Sequence, residues 1–222
     1  MQITADMMTG KTETHLTAFQ DSSCLLHSSV IEPFTQLKQA ASDAEFDLQI
    51  ASSFRSFDRQ LAIWNAKATG ERLVLDDACQ PLDLDCLSDR DKVFAILRWS
   101  ALPGASRHHW GTDMDVWDGV AVDADYSLQL IPAEYEVDGP FYDLSGWLGE
   151  NAQHFGFYRP YANDQGGIAP ELWHLSYQPI AQQFEQQLTT DLLREVLDNS
   201  DLQLKATVLS CFDEIFERYV RC

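Results

Sequence analysis

The residue types that bind catalytic zinc occur in two short segments of the chain. HHWGTDMD begins at His108 and contains Asp115, and ELWH ends at His174. Two histidines and one carboxylate, with a fourth coordination position left for water, are the ligand set of a catalytic zinc site, whereas a structural site normally contains more cysteine. The sequence therefore predicts that His108, Asp115 and His174 bind one Zn²⁺ ion per chain.

Glu171 opens the second segment and is predicted to be a general base. Zinc lowers the pKa of a bound water to about 7 and polarises a substrate carbonyl, but a protein group must still transfer the proton. Glu171 has the chemistry to take that proton and to pass it to a leaving amine. Because Glu171 and His174 would face opposite sides of an ideal strand, we expect Glu171 where the backbone bends at the strand entrance.

Two neighbours of these residues leave alternatives open. His109 is a second candidate for the first ligand, but adjacent residues in a strand or extended turn point apart, so only one of them should face the metal. We favour His108 and expect His109 beside the ligands or facing the substrate. Asp113 shares a strand face with Asp115, where it either orients a ligand through a hydrogen bond or faces solvent.

Regular elements are predicted on both sides of these segments. Hydrophobic spacing predicts helices at residues 30–41, 58–68, 91–100 and 142–154, and strands at 46–52, 112–117, 156–158 and 172–177. Arg55 lies in a turn between a strand and a helix. Pro81 interrupts an acidic stretch that we predict to be a surface loop or the edge of a lid. A mixed α+β fold follows from this succession.

The chain is predicted to have three parts. Residues 1–29 form an N-terminal extension and residues 30–178 form the main unit. In residues 179–222, two apolar stripes at helical spacing predict a helical hairpin that packs on the main unit.

The charge balance excludes one class of partner. The chain has 35 acidic and 15 basic residues, a formal net charge of −20 and a pI near 4.4. It would repel a phosphate backbone, so we expect no nucleic-acid partner. The first residues lack a basic start and a long apolar run, so we expect no signal peptide, no transmembrane segment and a cytoplasmic location, or export if a leader has been removed.

The motifs taken together resemble a known family. SRHHWGTDMD and ELWH, with SSFRSFDRQ upstream, are similar to the motifs of the VanY-type D-alanyl-D-alanine carboxypeptidases, LAS-type zinc peptidases related to lysostaphin-type enzymes and the hedgehog domain. The resemblance covers about residues 30–177 and implies a small antiparallel sheet flanked by helices. It also implies hydrolysis of the peptide bond next to a terminal D-alanine in a peptidoglycan-derived peptide.

The resemblance also assigns roles to individual residues. It implies the same zinc ligands and the same base, and it adds Arg55, which would bind or polarise the substrate near the scissile bond. A planar guanidinium can donate two hydrogen bonds to a carboxylate or an oxyanion, although a surface salt bridge is the alternative for this residue. Gln60 and Ser106 would be further substrate contacts.

Three positions depart from the family pattern. Phe54 stands where the family usually has tyrosine, and Ser176 stands where it often has arginine. Asp113 replaces a small residue and adds a negative charge beside the predicted metal site. The missing arginine at position 176 bears on which substrate terminus is bound, because that arginine would serve packing or substrate binding.

Several related functions remain open on the sequence. An L,D-carboxypeptidase differs only in the stereochemistry of the residue before the cut, and an endopeptidase would need an open groove. A zinc-bearing module that binds without catalysis is a third alternative, against which the presence of Glu171 argues. The sequence does not determine the oligomeric state.

Overall fold

Two antiparallel sheets lie in the part of the chain that the computed structural model describes, residues 2–20 and 23–221. Residues 1, 21, 22 and 222 of the predicted terminal extensions lie outside the described residues. The smaller sheet pairs β1 (Leu16–Ala18) with β2 (Leu25–His27). The larger contains β3 (Leu48–Ser52), β4 (Asp113–Asp118), β5 (Phe157–Tyr158) and β6 (His174–Tyr177), in the order β3-β4-β6-β5. The expected small antiparallel sheet is confirmed.

Helices flank these sheets, and serine caps explain where two of them begin. Ser56 and Ser88 each accept a hydrogen bond from the backbone N–H three residues further on. No helix of the described chain is both long and apolar enough to cross a bilayer. The helices are α1 (Ala5–Met8), α2 (Ile31–Asp43), α3 (Phe57–Ala68), α4 (Asp89–Trp99), α5 (Tyr142–Asn151), α6 (Gln178–Gln187), α7 (Thr190–Asp198), α8 (Lys205–Ser210) and α9 (Phe212–Ile215).

Strand β4 has one apolar face and one polar face, as its alternation predicts. Met114 and Val116 are buried in a core that includes Leu37 of α2. On the opposite face, Asp113 is 0% exposed and Asp115 is 5% exposed. Burying carboxylates is costly unless they are paired. The polar face of β4 therefore requires compensating partners.

The C-terminal segment is helical, but it is not the predicted two-helix hairpin: α6 ends at Gln187 and α7 begins at Thr190, where Thr189 caps it, and α8 and α9 follow. The segment shares a core with α3 and α4. Trp64 of α3, Leu97 of α4, Leu193 of α7 and Phe212 of α9 are buried in this core. The indole N–H of Trp64 also donates to a backbone carbonyl oxygen between α7 and α8 at 3.1 Å. A π-helical turn, Phe216–Val220, follows α9. The proposed domain boundary at residue 178 remains a prediction.

Candidate active site

The structure brings together His108, Asp115 and His174, which lie in different parts of the chain. One ligand atom from each lies within 4.8 Å of the others. The closest approaches are 3.5 Å between His108 Nε2 and Asp115 Oδ2, and 3.2 Å between His174 Nδ1 and Asp115 Oδ1. All three side chains are buried. They form one cluster, as the sequence predicts.

Strand pairing and one tight turn position the cluster. Asp115 lies opposite His174 in the antiparallel register of β4 and β6. His108 lies in a 3₁₀ helix (Arg107–Trp110), not in the strand or extended turn that we expected. Gly111 ends this helix at φ +69°, where a Cβ would collide with β1 and β2. The chain therefore turns sharply enough to present His108 and Asp115 to the same point.

Two atoms of the cluster are buried without a hydrogen-bond partner in the described part of the chain. They are Asp115 Oδ1 and His174 Nδ1. Leaving a buried polar atom unsatisfied costs about 1–3 kcal/mol, so such atoms are rare. A cation placed between them would satisfy both. Two imidazole nitrogens and one carboxylate oxygen are also the donors that a catalytic zinc site uses, so these side chains fit Zn²⁺.

Asp113 fixes the ring of His174 from the side opposite the cluster. His174 Nε2 donates to Asp113 Oδ1 at 2.9 Å, which leaves Nδ1 as the nitrogen with a free lone pair. Burial alone would raise the pKa of Asp113, but the Arg107 guanidinium and the His174 ring hold it below its ordinary value. Of the two alternatives for Asp113, the structure therefore shows the orienting hydrogen bond and not a solvent-facing carboxylate.

Arg107 completes this network, although its place beside His108 did not single it out in the sequence. Its Nε donates to Asp113 at 2.9 Å and its Nη2 donates to Ser176 Oγ at 2.9 Å. Arg107 thus supplies a guanidinium beside position 176, where the family often has arginine, and Asp113 is its counter-charge. Asp113 and Ser176, two of the positions that differ from the resembled pattern, therefore belong to one hydrogen-bond network with Arg107. In the sequence, the acidic residue at position 113 and the absence of arginine at position 176 were the features that could have indicated this network.

Glu171 lies where the backbone turns into β6, as predicted. The His174 N–H donates to the Glu171 carbonyl oxygen at 3.2 Å and closes that turn. Glu171 Oε2 is 3.5 Å from His174 Nδ1, and its side chain is 15% exposed. Burial raises the pKa of the Glu171 carboxyl group to about 7. A carboxyl group that titrates there can both accept and donate a proton at neutral pH.

Arg55 follows β3 and faces the same cavity. Its Nη1 donates to Gln60 Oε1 at 2.9 Å and its Nη2 donates to Ser52 Oγ at 3.1 Å. Gln60 is completely buried, and its amide donates to the Ala101 carbonyl oxygen at 2.6 Å. Both ends of the Gln60 amide are engaged within the protein. The prediction that Gln60 contacts the substrate is therefore wrong. Gln60 instead accepts a hydrogen bond from the Arg55 guanidinium and holds it in place.

His109 faces away from the cluster. Its Nε2 accepts from the Gly104 N–H at 3.0 Å, and its Nδ1 lies 2.6 Å from the Arg55 carbonyl oxygen. The ring is completely buried, so the expectation of a substrate-facing group is wrong. His109 instead supports the backbone of Arg55. Ser106 is almost completely buried, yet it lines the cavity.

The cluster opens into a cavity of about 700 Å³. Glu171 and Arg55 contribute to its polar lining, and Ile131 and Trp173 contribute to an apolar wall. The acidic loop after α3 forms one edge of the cavity through residues such as Leu73. The volume lies in the usual range of small-ligand sites.

Comparisons with known sequences identify relatives of this chain. A family model described as "VanY: D-alanyl-D-alanine carboxypeptidase" matches residues 23–180, which include the cluster and Glu171. Two Haemophilus influenzae relatives are each described as an uncharacterized protein. One is 37% identical over 121 residues, which are 54% of this chain and 92% of the relative. The other is 48% identical over 105 residues, which are 46% of this chain and 72% of the relative.

Solved peptidase structures share the fold. VanYB in complex with D-alanine-D-alanine is 21% identical with a TM-score of 0.54, covering 84% of this chain and 89% of that one. A Zn(II) complex of a mutant vancomycin-resistance D,D-pentapeptidase VanY is 21% identical with a TM-score of 0.52, covering 87% and 88%. The LD-carboxypeptidase LdcB is 20% identical with a TM-score of 0.52, covering 92% and 78%. Such identities establish the fold alone, whereas the family model spans most of the sequence. The chain therefore belongs to the VanY D-alanyl-D-alanine carboxypeptidase family.

Proposed function

We propose that the protein is a zinc-dependent D-alanyl-D-alanine carboxypeptidase, which removes the terminal D-alanine from a peptidoglycan-derived peptide. The observation that carries the proposal is the buried cluster of His108, Asp115 and His174 with Glu171 beside it. Family membership supports peptidase activity. The related structures that contain D-alanine-D-alanine or Zn(II) support the substrate and the metal.

Three donor atoms would hold the ion: His108 Nε2, a carboxylate oxygen of Asp115 and His174 Nδ1. When bound, zinc lowers the pKa of a water to about 7 and polarises a carbonyl group. His108 Nδ1 donates to a backbone carbonyl oxygen at 2.8 Å, and His174 Nε2 donates to Asp113 at 2.9 Å. Each histidine therefore presents its other nitrogen in the form that a metal requires.

Glu171 transfers the proton in this proposal. Its carboxylate takes a proton from the attacking water and donates it to the leaving amine of D-alanine, which regenerates the carboxylate. Burial raises the pKa of the Glu171 carboxyl group in the metal-free site, which favours its role as a proton acceptor and donor. The apolar wall beside Glu171, including Trp173, limits the access of competing water.

Arg55 acts on the substrate near the scissile bond. Its guanidinium can donate two hydrogen bonds to a carboxylate or to a developing oxyanion. Gln60 and Ser52 hold the guanidinium in place, so it is oriented before the substrate binds. Ser106 contributes a further substrate contact from the cavity wall.

An assay on muropeptides tests the proposal. A pentapeptide that ends in D-alanyl-D-alanine should release D-alanine, a chelator should stop the release, and added Zn²⁺ should restore it. Release from a tetrapeptide alone would assign an L,D-carboxypeptidase, and internal cleavage of a cross-linked peptide would assign an endopeptidase. Binding by the zinc-loaded protein without any turnover would contradict catalysis and indicate a binding module.

A further inference from the structure

Two loops contribute residues to the wall of the candidate active-site cavity. The first is the acidic loop after α3, residues 71–88, and the second connects β5 to β6, residues 159–173. Leu73 of the first loop is 68% exposed and lies at the solvent edge of the cavity. The second loop contains Glu171, the proposed base. The position of the first loop therefore affects the edge of the cavity, and the position of the second affects the base.

Arg98, in the last turn of α4, donates hydrogen bonds to both loops. Its Nε donates to Asp77 Oδ1 of the first loop at 2.7 Å. Its Nη1 and Nη2 donate to the two carboxylate oxygens of Asp164 in the second loop, at 3.0 and 2.5 Å. Nη1 also donates to the Gly167 carbonyl oxygen at 2.9 Å, and the Arg98 carbonyl oxygen accepts from the Ala169 N–H at 2.9 Å. One residue of α4 thus joins the two loops.

The contacts of Arg98 have the geometry of a strong arginine–carboxylate network. Isolated surface ion pairs contribute little to stability, but bidentate pairs and networks are the exceptions. The Arg98 side chain is 18% exposed, whereas those of Asp77 and Asp164 are 77% and 48% exposed. The hydrogen bond from Arg98 lowers the pKa of the Asp164 carboxyl group to about 2. A mostly buried guanidinium on a helix therefore restrains two exposed carboxylates on loops.

The bonds to the second loop lie close to Glu171. The Ala169 N–H, which donates to Arg98, is two residues before Glu171. The Glu171 N–H donates to the Tyr161 carbonyl oxygen at 2.9 Å, and the Glu171 carbonyl oxygen accepts from the His174 N–H. The backbone of Glu171 is therefore held between the Arg98 contacts and the start of β6. A displacement of about 1 Å in a catalytic group can reduce the rate up to about 10²-fold, so this restraint bears on catalysis.

The bond to Asp77 acts on a different part of the cavity. The first loop folds back on itself, because the Asp76 N–H donates to the Gln80 carbonyl oxygen and the Leu82 N–H donates to the Val74 carbonyl oxygen, both at 2.8 Å. A shift at Asp77 therefore moves this part of the loop as a unit. The loop contains neither the proposed base nor a proposed metal ligand. Its displacement would alter substrate binding and not proton transfer.

We propose that Arg98 is a positioning residue of the active site, which clamps the edge of the cavity to the loop that contains Glu171. The inference rests on the proposed function, because it assigns to Arg98 an effect on that reaction. The two arms of the clamp have separate consequences. The arm to Asp77 holds the cavity edge and favours substrate binding, whereas the arm to Asp164 holds the loop of the base and favours turnover.

Steady-state kinetics of the zinc-loaded protein on a pentapeptide that ends in D-alanyl-D-alanine test the two arms separately. Asp77→Asn should raise KM about tenfold and leave kcat within about twofold of the parent value. Asp164→Asn retains an acceptor for the Gly166 N–H but loses the charge, and it should lower kcat about tenfold. Arg98→Ala should show both effects, and adding Asp77→Asn to it should cause no further rise in KM. Arg98→Lys, which keeps the charge but not the planar fork, should fall between Arg98→Ala and the parent.

Hydrogen exchange followed by mass spectrometry reports on the loops without relying on activity. Peptides from residues 71–88 should exchange about tenfold faster in Asp77→Asn protein, and peptides from residues 159–170 should do so in Asp164→Asn protein. Arg90→Ala is the matched control, because Arg90 is also on α4 and donates to a carboxylate, that of Glu214 in α9, at 2.6 Å. It should leave KM, kcat and the exchange of both loops unchanged.

Parent-like kinetics in Arg98→Ala protein, or equal losses in Arg98→Ala and Arg90→Ala, would overturn the clamp and leave the proposed function intact. A lower free energy of unfolding with unchanged KM and kcat would also overturn it, because that result indicates a purely structural role. Asp77→Asn, at an exposed carboxylate, still tests the clamp if Arg98→Ala fails to fold. If the parent protein hydrolyses no peptide, the proposed function fails. Unchanged exchange in both loops would then overturn the clamp as well, whereas faster exchange would support it.

Discussion

The two sides of the His174 ring differ in how their polar groups are satisfied. Behind the ring, Asp113 accepts hydrogen bonds from His174, Arg107 and Ser176. In front of it, His174 Nδ1 and Asp115 Oδ1 have no hydrogen-bond partner within the described residues. The difference teaches that compensated buried charges hold this site in shape, whereas uncompensated ones mark where a ligand binds.

The arginines on the two sides show the same contrast. Arg107 is 4% exposed and pairs with Asp113 at 2.9 Å. Arg55 is held only by neutral groups, Gln60 and Ser52, and points its charge into the cavity. One guanidinium is therefore structural and the other is available to a substrate.

Removing a donor from the front of the ring should have the largest effect. We expect His174→Ala protein to lose its zinc on dialysis and its activity to fall to the assay background, because two remaining donors hold the ion poorly. Atomic absorption on dialysed protein measures the zinc content. His154→Ala, at an exposed histidine, is the matched control. Full zinc content in His174→Ala protein would show that the ion binds elsewhere.

Glu171→Ala removes a carboxylate from the same side of the His174 ring but should affect proton transfer alone. We expect kcat to fall about 10²–10⁴-fold, the usual contribution of a general base, while the zinc content stays at one ion per chain. Steady-state kinetics and metal analysis of the same preparation separate the two effects. Glu150→Ala, at an exposed position of α5, controls for the loss of a carboxylate. A parent-like kcat would rule out Glu171 as the base.

Asp113→Asn tests the side of the His174 ring where the polar groups are hydrogen-bonded, and it should reduce zinc binding less than His174→Ala does. The asparagine weakens the hydrogen bond that orients His174, and we expect zinc affinity to fall about 10–100-fold. It also removes the closer of the two carboxylates that pair with buried Arg107 and leaves Glu185 at 3.6 Å, which should destabilise the fold by up to about 3–5 kcal/mol. Competition with a chromophoric chelator measures the first effect and urea unfolding the second. An unchanged zinc affinity would show that His174 is oriented without Asp113.

Replacing His27 should have the smallest effect, and the effect should be on stability alone. The pKa of His27 is shifted in the opposite direction from that of His174. Burial lowers the pKa of His27 to about 4, whereas the negative charges of Asp113 and Asp115 outweigh burial and raise the pKa of the metal-free His174 ring. Because the folded-state pKa of His27 lies below its ordinary value of 6.5, the free energy of unfolding should fall as the pH drops from 6.5 towards 4, by up to about 3 kcal/mol.

Urea unfolding between pH 7 and pH 5 tests this linkage. The His27→Gln protein should show a weaker pH dependence than the parent, because it has one fewer buried histidine that must remain neutral. Parallel pH dependences for the two proteins would contradict the assignment to His27. Activity at neutral pH should be the same in both.

Features that depend on neighbouring residues could be predicted from the sequence. The apolar spacing of α2 and the alternation in β4 each involve residues within a few positions of one another. The candidate ligands were also predictable, because zinc accepts few donor types and His108, Asp115 and His174 lie in the two segments that combine them.

Features that depend on distant contacts could not be predicted. The acceptor for the Gln60 amide is the carbonyl oxygen of Ala101, 41 residues away. The role of Arg107 requires the strand register that places Asp113 opposite Ser176. Periodicity contains no information about either pairing. The resemblance alone implied a substrate contact for Gln60, and nothing was predicted for Arg107.

The helical core around Trp64 extends beyond the residues that the family model matches. The family match stops at residue 180, yet Leu193 and Phe212 beyond it cover the side of α3 that carries Trp64. A fragment cut at that limit would expose this apolar surface to water, at about 25 cal/mol per Å². Since α3 also carries Lys67, which lines the cavity, the C-terminal helices support one wall of the candidate site.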